Sequence, residues 1–352
     1  MRGSIKLFEI FGISIEIHIT FLLLPLLFAF LAGPKGVVLI LGIFVCVTFH
    51  ELSHALQAKR FGVKVDRVVL LPIGGVAAMK SIPEKPSQEI KIAISGPLFN
   101  FVLAAFLFYP MYYLLGEEIF FSPSLETWGH TFAYLYWLNI ILGVFNLLPA
   151  FPMDGGRILR AFLAQKMDFQ KATKIAVNFG HIFSLLFVFL GIASSNFWLI
   201  IIAIFVYMAA SQEELQVDIT QTLKRFKVKD ILPDQYITVS RDTSLSKVLE
   251  MIFHSHQEDF PVMEGSNIVG FVTRTDIISG IHQYGLDKMA GDVMRKDFPS
   301  ASPGDSLTRI HKLMEESNLR AIPIIESGHL VGIITMEDLS KVYSLMSAKA
   351  TK

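Results

Sequence analysis

His50, Glu51 and His54 are the residues whose types and spacing most directly suggest chemistry. On a helix, positions i and i+4 share one face, so both imidazoles can reach a single metal ion. Glu51 stands beside them, placed to act as general base on a water. Imidazole combined with one carboxylate suits zinc. The three residues close an apolar run of Leu, Ile, Phe and Val. An isolated acid in such a run costs about 2.5–3.5 kcal/mol on the translocon scale, and ionisable groups there are functional by default. A catalytic zinc needs a third protein ligand and an open fourth position. The candidate is Asp154, in the segment Asn146-Leu-Leu-Pro149-Ala-Phe-Pro152-Met-Asp154-Gly155-Gly156-Arg157. The alternative is that Asp154 caps a following helix, 155–165. Asn100 and Asn146 could support a substrate carbonyl or oxyanion, or could bond between helices. Ser95-Gly96-Pro97 reads as a packing and bend element, and Cys46 as a small cavity-lining residue rather than a fourth ligand. His18 and His181 read as structural or interfacial.

The elements that must position these residues are membrane helices. The chain has 352 residues, of which 52% are hydrophobic and 18% charged, with a mean hydropathy of +0.51. Soluble domains carry about 25% charged residues, so a soluble enzyme and a disordered chain are excluded. The balance of 31 Lys and Arg against 31 Asp and Glu argues against a nucleic-acid partner. A single cysteine excludes intramolecular disulfides and cysteine-cluster zinc sites. The charges are unevenly spread: 26 in residues 1–211 and 36 in residues 212–352. Six stretches have the length and apolarity of spans, near 17–33, 36–57, 92–115, 131–149, 176–193 and 196–211. The links at 34–35 and 194–195 are short enough for helical hairpins. No cleavage-site pattern precedes the first span, which is expected to stay as an anchor.

The fold class expected is a multi-pass α-helical membrane protein with about six transmembrane helices, followed by a soluble half. Loop 58–91 carries seven Lys and Arg and loop 155–175 carries five, whereas loop 116–130 carries none. By the positive-inside rule the two basic loops face the cytoplasm. Both termini then lie in the cytoplasm, and the protein sits in the cell (inner) membrane. The same count puts His50, His54 and Asp154 near one face, the cytoplasmic one, although it made no use of ligand spacing. Within loop 58–91, the β-branched run around Pro72-Ile-Gly74-Gly75 reads as two short strands or a re-entrant hairpin. Its edge, at Gly74 and Gly75, could pair with an unwound substrate segment.

His50-Glu51-x-x-His54, Ser95-Gly96-Pro97-x-x-Asn100 and Asn146-x-x-Pro149-x-x-Pro152-x-Asp154-Gly155 together resemble the site-2 protease family of intramembrane zinc metalloproteases. The resemblance covers residues 1–211. It implies that His50, His54 and Asp154 bind one zinc ion and that Glu51 is the catalytic acid and base. It also implies a substrate that is a transmembrane or membrane-associated regulator within the lipid bilayer. There is no room between the motifs for the PDZ domain of one large branch. The chain is similar instead to the branch with C-terminal CBS domains, which includes sporulation-type proteases.

The soluble half is an internal repeat. An offset of 62 aligns residues 228–284 with 290–346 without gaps, and a shared period of this length marks a duplicated domain. Phe260-Pro261-Val262 matches Ile322-Pro323-Ile324, and Thr273-x-x-Asp276 matches Thr335-x-x-Asp338. The repeat resembles a tandem α/β CBS pair, the Bateman module. The domains expected are therefore 1–211, a linker at 212–227, and CBS domains at 228–284 and 290–347. The resemblance implies that Thr273, Asp276, Thr335 and Asp338 contact an adenosyl nucleotide. The local alternative is that each Thr and Asp caps the next helix. A homodimer through the CBS domains is also expected.

These observations lead to a membrane-embedded zinc endopeptidase for regulated intramembrane proteolysis, modulated by an adenine nucleotide. A CBS-regulated channel or transporter would not need His50, Glu51, His54 and Asp154 together. A membrane peptidase with a Glu third ligand would need an acid downstream, and residues 176–211 contain none.

Overall fold

The structure, a computed structural model, describes residues 3–72, 74–79, 85–233, 235–255 and 257–350. Ile73, Lys80 and the remainder of 80–84, which belong to loop 58–91, lie outside the described residues. The chain divides into two compact units, Met1–Leu215 and Gln216–Lys352.

The first unit opens with β1 (Ser4–Ile10) and β2 (Ile13–His18), which form an antiparallel pair. A single 3-10 turn, Ile19–Leu22, leads into helix α1 (Leu23–Arg60). Two more strands follow, β3 (Val65–Leu71) and β4 (Gly74–Met79), and the sheet order is β1-β2-β3-β4. Strands β2 and β3 run parallel, with Ile15 opposite Val68, while β3 and β4 form a hairpin with Leu70 opposite Gly75. Alternation explains the buried face. Ile13, Ile15, Val65, Val68 and Leu70 pack with Phe44, Leu52 and Ala55 of α1 and with Ile92. The sheet thereby grips the end of α1 that bears the two histidines.

Helix α1 reverses direction at Gly33, whose φ of 61° and ψ of −152° are non-helical, just before Pro34. In a straight helix residues 28 and 36 stand about 12 Å apart. Here a Cβ on Gly36 would meet the Phe28 carbonyl at 2.6 Å, so the two arms form a tight hairpin. Next come α2 (Pro86–Leu115), the single turn α3 (Glu117–Phe120), α4 (Trp128–Asn146), α5 (Asp154–Leu163), α6 (Phe169–Ala193) and α7 (Phe197–Lys224). Among the described residues, four helical segments are long and apolar enough to cross a membrane: Ile19–Arg60, Pro86–Leu115, Phe169–Ala193 and Phe197–Lys224. Phe30, Phe106, Leu114, Leu185 and Phe189 on these segments are exposed, as lipid-facing side chains would be.

The six expected spans are thus redistributed. Residues 17 and 18 belong to β2, not to a helix. The first two stretches are arms of one folded segment. The stretch 131–149 falls mainly in α4, which carries Asn139, two tyrosines and two tryptophans and lies outside the four.

The second unit repeats itself. It contains β5 (Val239–Ser240), α8 (Leu245–His254), β6 (Phe260–Glu264), β7 (Asn267–Val272) and α9 (Arg274–Tyr284). After a short turn, α10 (Ala290–Val293), come α11 (Leu307–Ser317), β8 (Ala321–Glu326), β9 (His329–Thr335) and α12 (Met336–Ala350). The offset of 62 survives in three dimensions. Phe260 pairs with Val272 and Ile322 with Ile334, and the bulge at Val262/Met263 recurs at Ile324/Ile325. The parallel pairing of Val239 with Val262 recurs as a bridge between Ala301 and Ile324. Asp259, 2% exposed, ties the copies together by accepting from the Arg274 amide at 3.1 Å and the Arg320 amide at 2.8 Å. Burial outweighs these hydrogen bonds and pushes its carboxyl above the usual aspartate value.

Candidate metal centre

His50 and His54 point inward from α1 and are 3% and 4% exposed. Their tautomers follow from their neighbours. Asn139 Nδ2 donates to the main-chain carbonyl of Asn100 at 2.9 Å, which leaves Asn139 Oδ1 to accept from Asn100 Nδ2 at 2.7 Å. Asn100 Oδ1 is therefore the atom facing His50 Nδ1, at 2.5 Å. An amide oxygen only accepts, so Nδ1 of His50 carries the hydrogen. His54 Nδ1 likewise donates to the Ile92 carbonyl at 2.7 Å. In neutral imidazoles both Nε2 atoms are then bare lone pairs.

Those two nitrogens lie 3.0 Å apart, and Asp154 Oδ2 lies 3.1 Å from His50 Nε2 and 3.0 Å from His54 Nε2. Three acceptors converge with no hydrogen left to share. A cation resolves the conflict, and the donor set fits one. A tetrahedral ion with ligands at about 2.0–2.1 Å holds them about 3.3 Å apart. Among the described residues, these three buried side chains are the group that could hold a metal ion.

Asp154 reaches this point because the chain before it is irregular and tightly folded. Met153, not Asp154, is the N-cap of α5, and it makes no side-chain capping bond. The capping alternative for Asp154 therefore does not hold. A Cβ on Gly155 would meet the Leu148 carbonyl at 2.2 Å, and one on Gly156 would meet the Ala150 and Phe151 backbone at 2.5 Å. Farther along α5, Arg160 is 2% exposed. Its Nε donates to Glu89 of α2 at 2.9 Å and its Nη1 to Glu213 of α7 at 2.6 Å. The Phe151 and Phe169 rings lie 4.8 and 4.9 Å from its guanidinium carbon. This buried cluster fastens the Asp154 helix to its neighbours.

Glu51 is half-buried beside the histidines, and no hydrogen bond to it is recorded among the described residues. Strand β4 passes close to it: a Cβ on Gly75 would meet Glu51 Cγ at 2.5 Å. Gly74 has a φ of 137°, and among the described residues nothing lies within 4 Å of where a Cβ would stand. Asn100 lies behind His50. Its amide oxygen meets His50 and its Nδ2 donates to Asn139, which is the interhelical bonding alternative. Asn146 turns Nδ2 back to the Leu142 carbonyl of its own helix at 3.0 Å. Gly96 is more than a bend element, because a Cβ there would meet His54 Nε2 at 2.3 Å and His50 Nε2 at 2.6 Å. Asn139 was missed in the sequence, since a lone polar residue in an apolar run carries no local signature. Gly96 was legible only as a glycine one turn before Asn100 on α2. His18 caps the 3-10 turn, and His181 bonds Ser211 at 3.0 Å and stacks on Tyr207, so both serve the fold.

In the second unit, Thr273 and Asp276 form a capping box at the start of α9. Arg295 then grips both oxygens of Asp276, at 2.8 and 2.9 Å. Burial opposes ionisation of Asp276, but the hydrogen bonds from Arg295 and Thr273 prevail and hold its carboxyl below the usual value. Thr335 and Asp338 repeat the box through Asp338 Oδ2, and among the described residues no arginine bond to Asp338 is recorded.

Residues 38–187 match the profile of peptidase family M50, and residues 228–283 and 290–345 each match the CBS domain. The chain is 36% identical to zinc metalloprotease MJ0392 of Methanocaldococcus jannaschii over 354 residues, covering 99% of this chain and 98% of that one. It is 31% identical to stage IV sporulation protein FB of Bacillus subtilis over 141 residues, covering 40% of this chain and 45% of that protein. Among solved structures it is similar to a site-2 protease from Methanocaldococcus jannaschii, with 42% identity and a TM-score of 0.47, covering 60% of this chain and 95% of that one.

The close approach at Gly96 yields a direct test. Gly96→Ala should lower bound metal per purified chain at least tenfold under limiting metal, because the new methyl displaces both Nε2 atoms. Gly304→Ala, with nothing within 4 Å of its Cβ position, should leave it unchanged. Elemental analysis of the detergent-purified proteins makes the comparison.

Proposed function

The chain belongs to peptidase family M50, the site-2 proteases, with a tandem CBS pair after the protease domain, and on that premise we propose that it is an intramembrane zinc endopeptidase. Its substrate would be a membrane protein, cut in or near a transmembrane segment. The observation that carries this reading is the convergence of two bare imidazole nitrogens and one carboxylate oxygen on a single point, with both Nδ1 hydrogens engaged elsewhere.

His50, His54 and Asp154 would hold zinc, which when bound supplies a Lewis acid and makes a water acidic near neutral pH. Asn100 and the Ile92 carbonyl keep the two imidazoles turned so that Nε2 faces the ion. Glu51 has no recorded hydrogen bond and is free to take the proton from the attacking water. It then returns that proton to the leaving amine nitrogen. A helical peptide bond is sterically shielded, so the substrate must unwind. Strand β4 is the outer strand of its sheet and offers main-chain groups for an added strand. Gly75 lets that strand lie directly over Glu51.

The basic residues Lys59 and Arg60 end α1, and Arg157 and Arg160 lie on α5. Their position supports a site near the cytoplasmic face of the cell membrane, with both termini in the cytoplasm. The CBS pair would bind an adenine nucleotide and modulate cleavage, and would also pair two copies of the chain. The two Thr-x-x-Asp positions are not equivalent, because Arg295 already occupies Asp276. The Asp338 side is the one we assign to ribose hydroxyls.

Two outcomes test this reading. Glu51→Gln should keep one zinc per chain and lose at least 100-fold in cleavage of a quenched-fluorophore apolar peptide, whereas Asp154→Ala should lose both zinc and cleavage. Calorimetric titration of the full chain with adenosine monophosphate should show affinity falling at least tenfold in Asp338→Ala. In Asp276→Ala the affinity should stay within about threefold.

A further inference from the structure

Arg157 and Arg160 lie one turn apart on α5, yet their side chains are used differently. Arg160 spends Nε, Nη1 and Nη2 on Glu89 and Glu213. Arg157 makes no recorded hydrogen bond and no recorded ion pair among the described residues. It is nonetheless half-buried, and carboxylates surround it: Glu213, Asp154, Glu51 and Glu89 all act on its charge. A guanidinium carries five N–H donors and no acceptor, and the nearby carboxylates favour its charged form without bonding it. Those donors remain available to an acceptor that arrives from outside.

The position indicates which acceptor. Residues i and i+3 of a helix share a face, so Arg157 lies on the face of α5 that carries Asp154. It is also within the electrostatic reach of Glu51. A carbonyl that is to receive water must stand beside both the Asp154 corner and Glu51. Of the two amides expected to serve such a carbonyl, Asn100 bonds His50 and Asn139, and Asn146 turns Nδ2 to the Leu142 carbonyl.

We propose that Arg157 is a catalytic residue, whose guanidinium donates to the carbonyl oxygen of the scissile peptide bond and stabilises the negative charge that develops there. The proposal rests on the protease reading of the site. As the water oxygen bonds to the carbonyl carbon, its proton passes to Glu51, and the carbonyl π pair moves to the oxygen facing Arg157. The C–N bond then breaks as Glu51 returns the proton to nitrogen, with no change of oxidation state. A donor aimed at charge that appears only during reaction raises kcat rather than ground-state affinity.

The test uses the full-length, zinc-loaded enzyme in detergent with the quenched-fluorophore peptide. Arg157→Ala should keep one zinc per chain and a KM within about threefold of wild type, while kcat falls about 100- to 1,000-fold. Arg157→Lys should keep part of that rate, and millimolar guanidinium should restore part of it to Arg157→Ala. A kcat within threefold of wild type in Arg157→Ala would overturn the proposal. So would a loss confined to KM, which would make Arg157 a contact for a substrate carboxylate or a lipid phosphate. A loss of zinc that neither Lys nor added guanidinium relieves would assign it a structural role and overturn the proposal equally. If zinc-loaded wild type cleaves nothing, the protease reading itself fails, an outcome distinct from all of these.

Discussion

Two buried imidazoles must each give their only hydrogen to a fixed carbonyl oxygen, and everything else in the first unit serves that constraint. Once Asn100 Oδ1 and the Ile92 carbonyl take those hydrogens, the Nε2 lone pairs have nowhere to point but toward each other and Asp154. Two imidazole lone pairs and a carboxylate oxygen packed this way repel one another. A divalent cation would convert the repulsion into coordination. The hydrogen-bond chain from Asn139 through Asn100 to His50 would thus form the second layer of a metal site, orienting the imidazole in advance of an ion.

Two further features keep the donors at that distance. Glycine allows it sterically: Gly96 lets α2 lie against both imidazoles, Gly155 and Gly156 let the chain fold under Asp154, and Gly75 lets β4 cover Glu51. The Glu89–Arg160–Glu213 cluster holds it electrostatically, by tying α5 to α2 and α7. A buried ion pair adds little net stability, but removing one partner leaves an uncompensated charge and is strongly destabilising. Its contribution here is to fix the position of α5 and therefore of Asp154.

Much of this was legible in the sequence, for identifiable reasons. His50, Glu51 and His54 were readable because one helical turn is a local quantity. Asp154 was readable as a candidate because the apolar spans hold almost no other acid. The duplicated half was readable because an offset of 62 preserves both residue identities and strand register. The roles of Asn139, Gly96 and Arg160 depend on partners 39 or more residues away, and no local pattern encodes such contacts. Strand β2 is a different case. Ile13, Ile15 and Ile17 alternate as a half-buried strand should, but the apolar run that follows absorbed the end of that strand into a helix. Arg295 is likewise invisible in the repeat alignment, although it makes Asp276 and Asp338 inequivalent.

The central claim is that one ion is held by two imidazole nitrogens and one carboxylate oxygen. X-ray absorption at the zinc edge of the purified full-length protein measures this directly. The account predicts one zinc per chain, with nitrogen and oxygen scatterers at about 2.0–2.1 Å, imidazole outer-shell features, and no sulfur. A sulfur scatterer at about 2.3 Å, which would bring in Cys46, or a spectrum unchanged in Asp154→Ala, would contradict it.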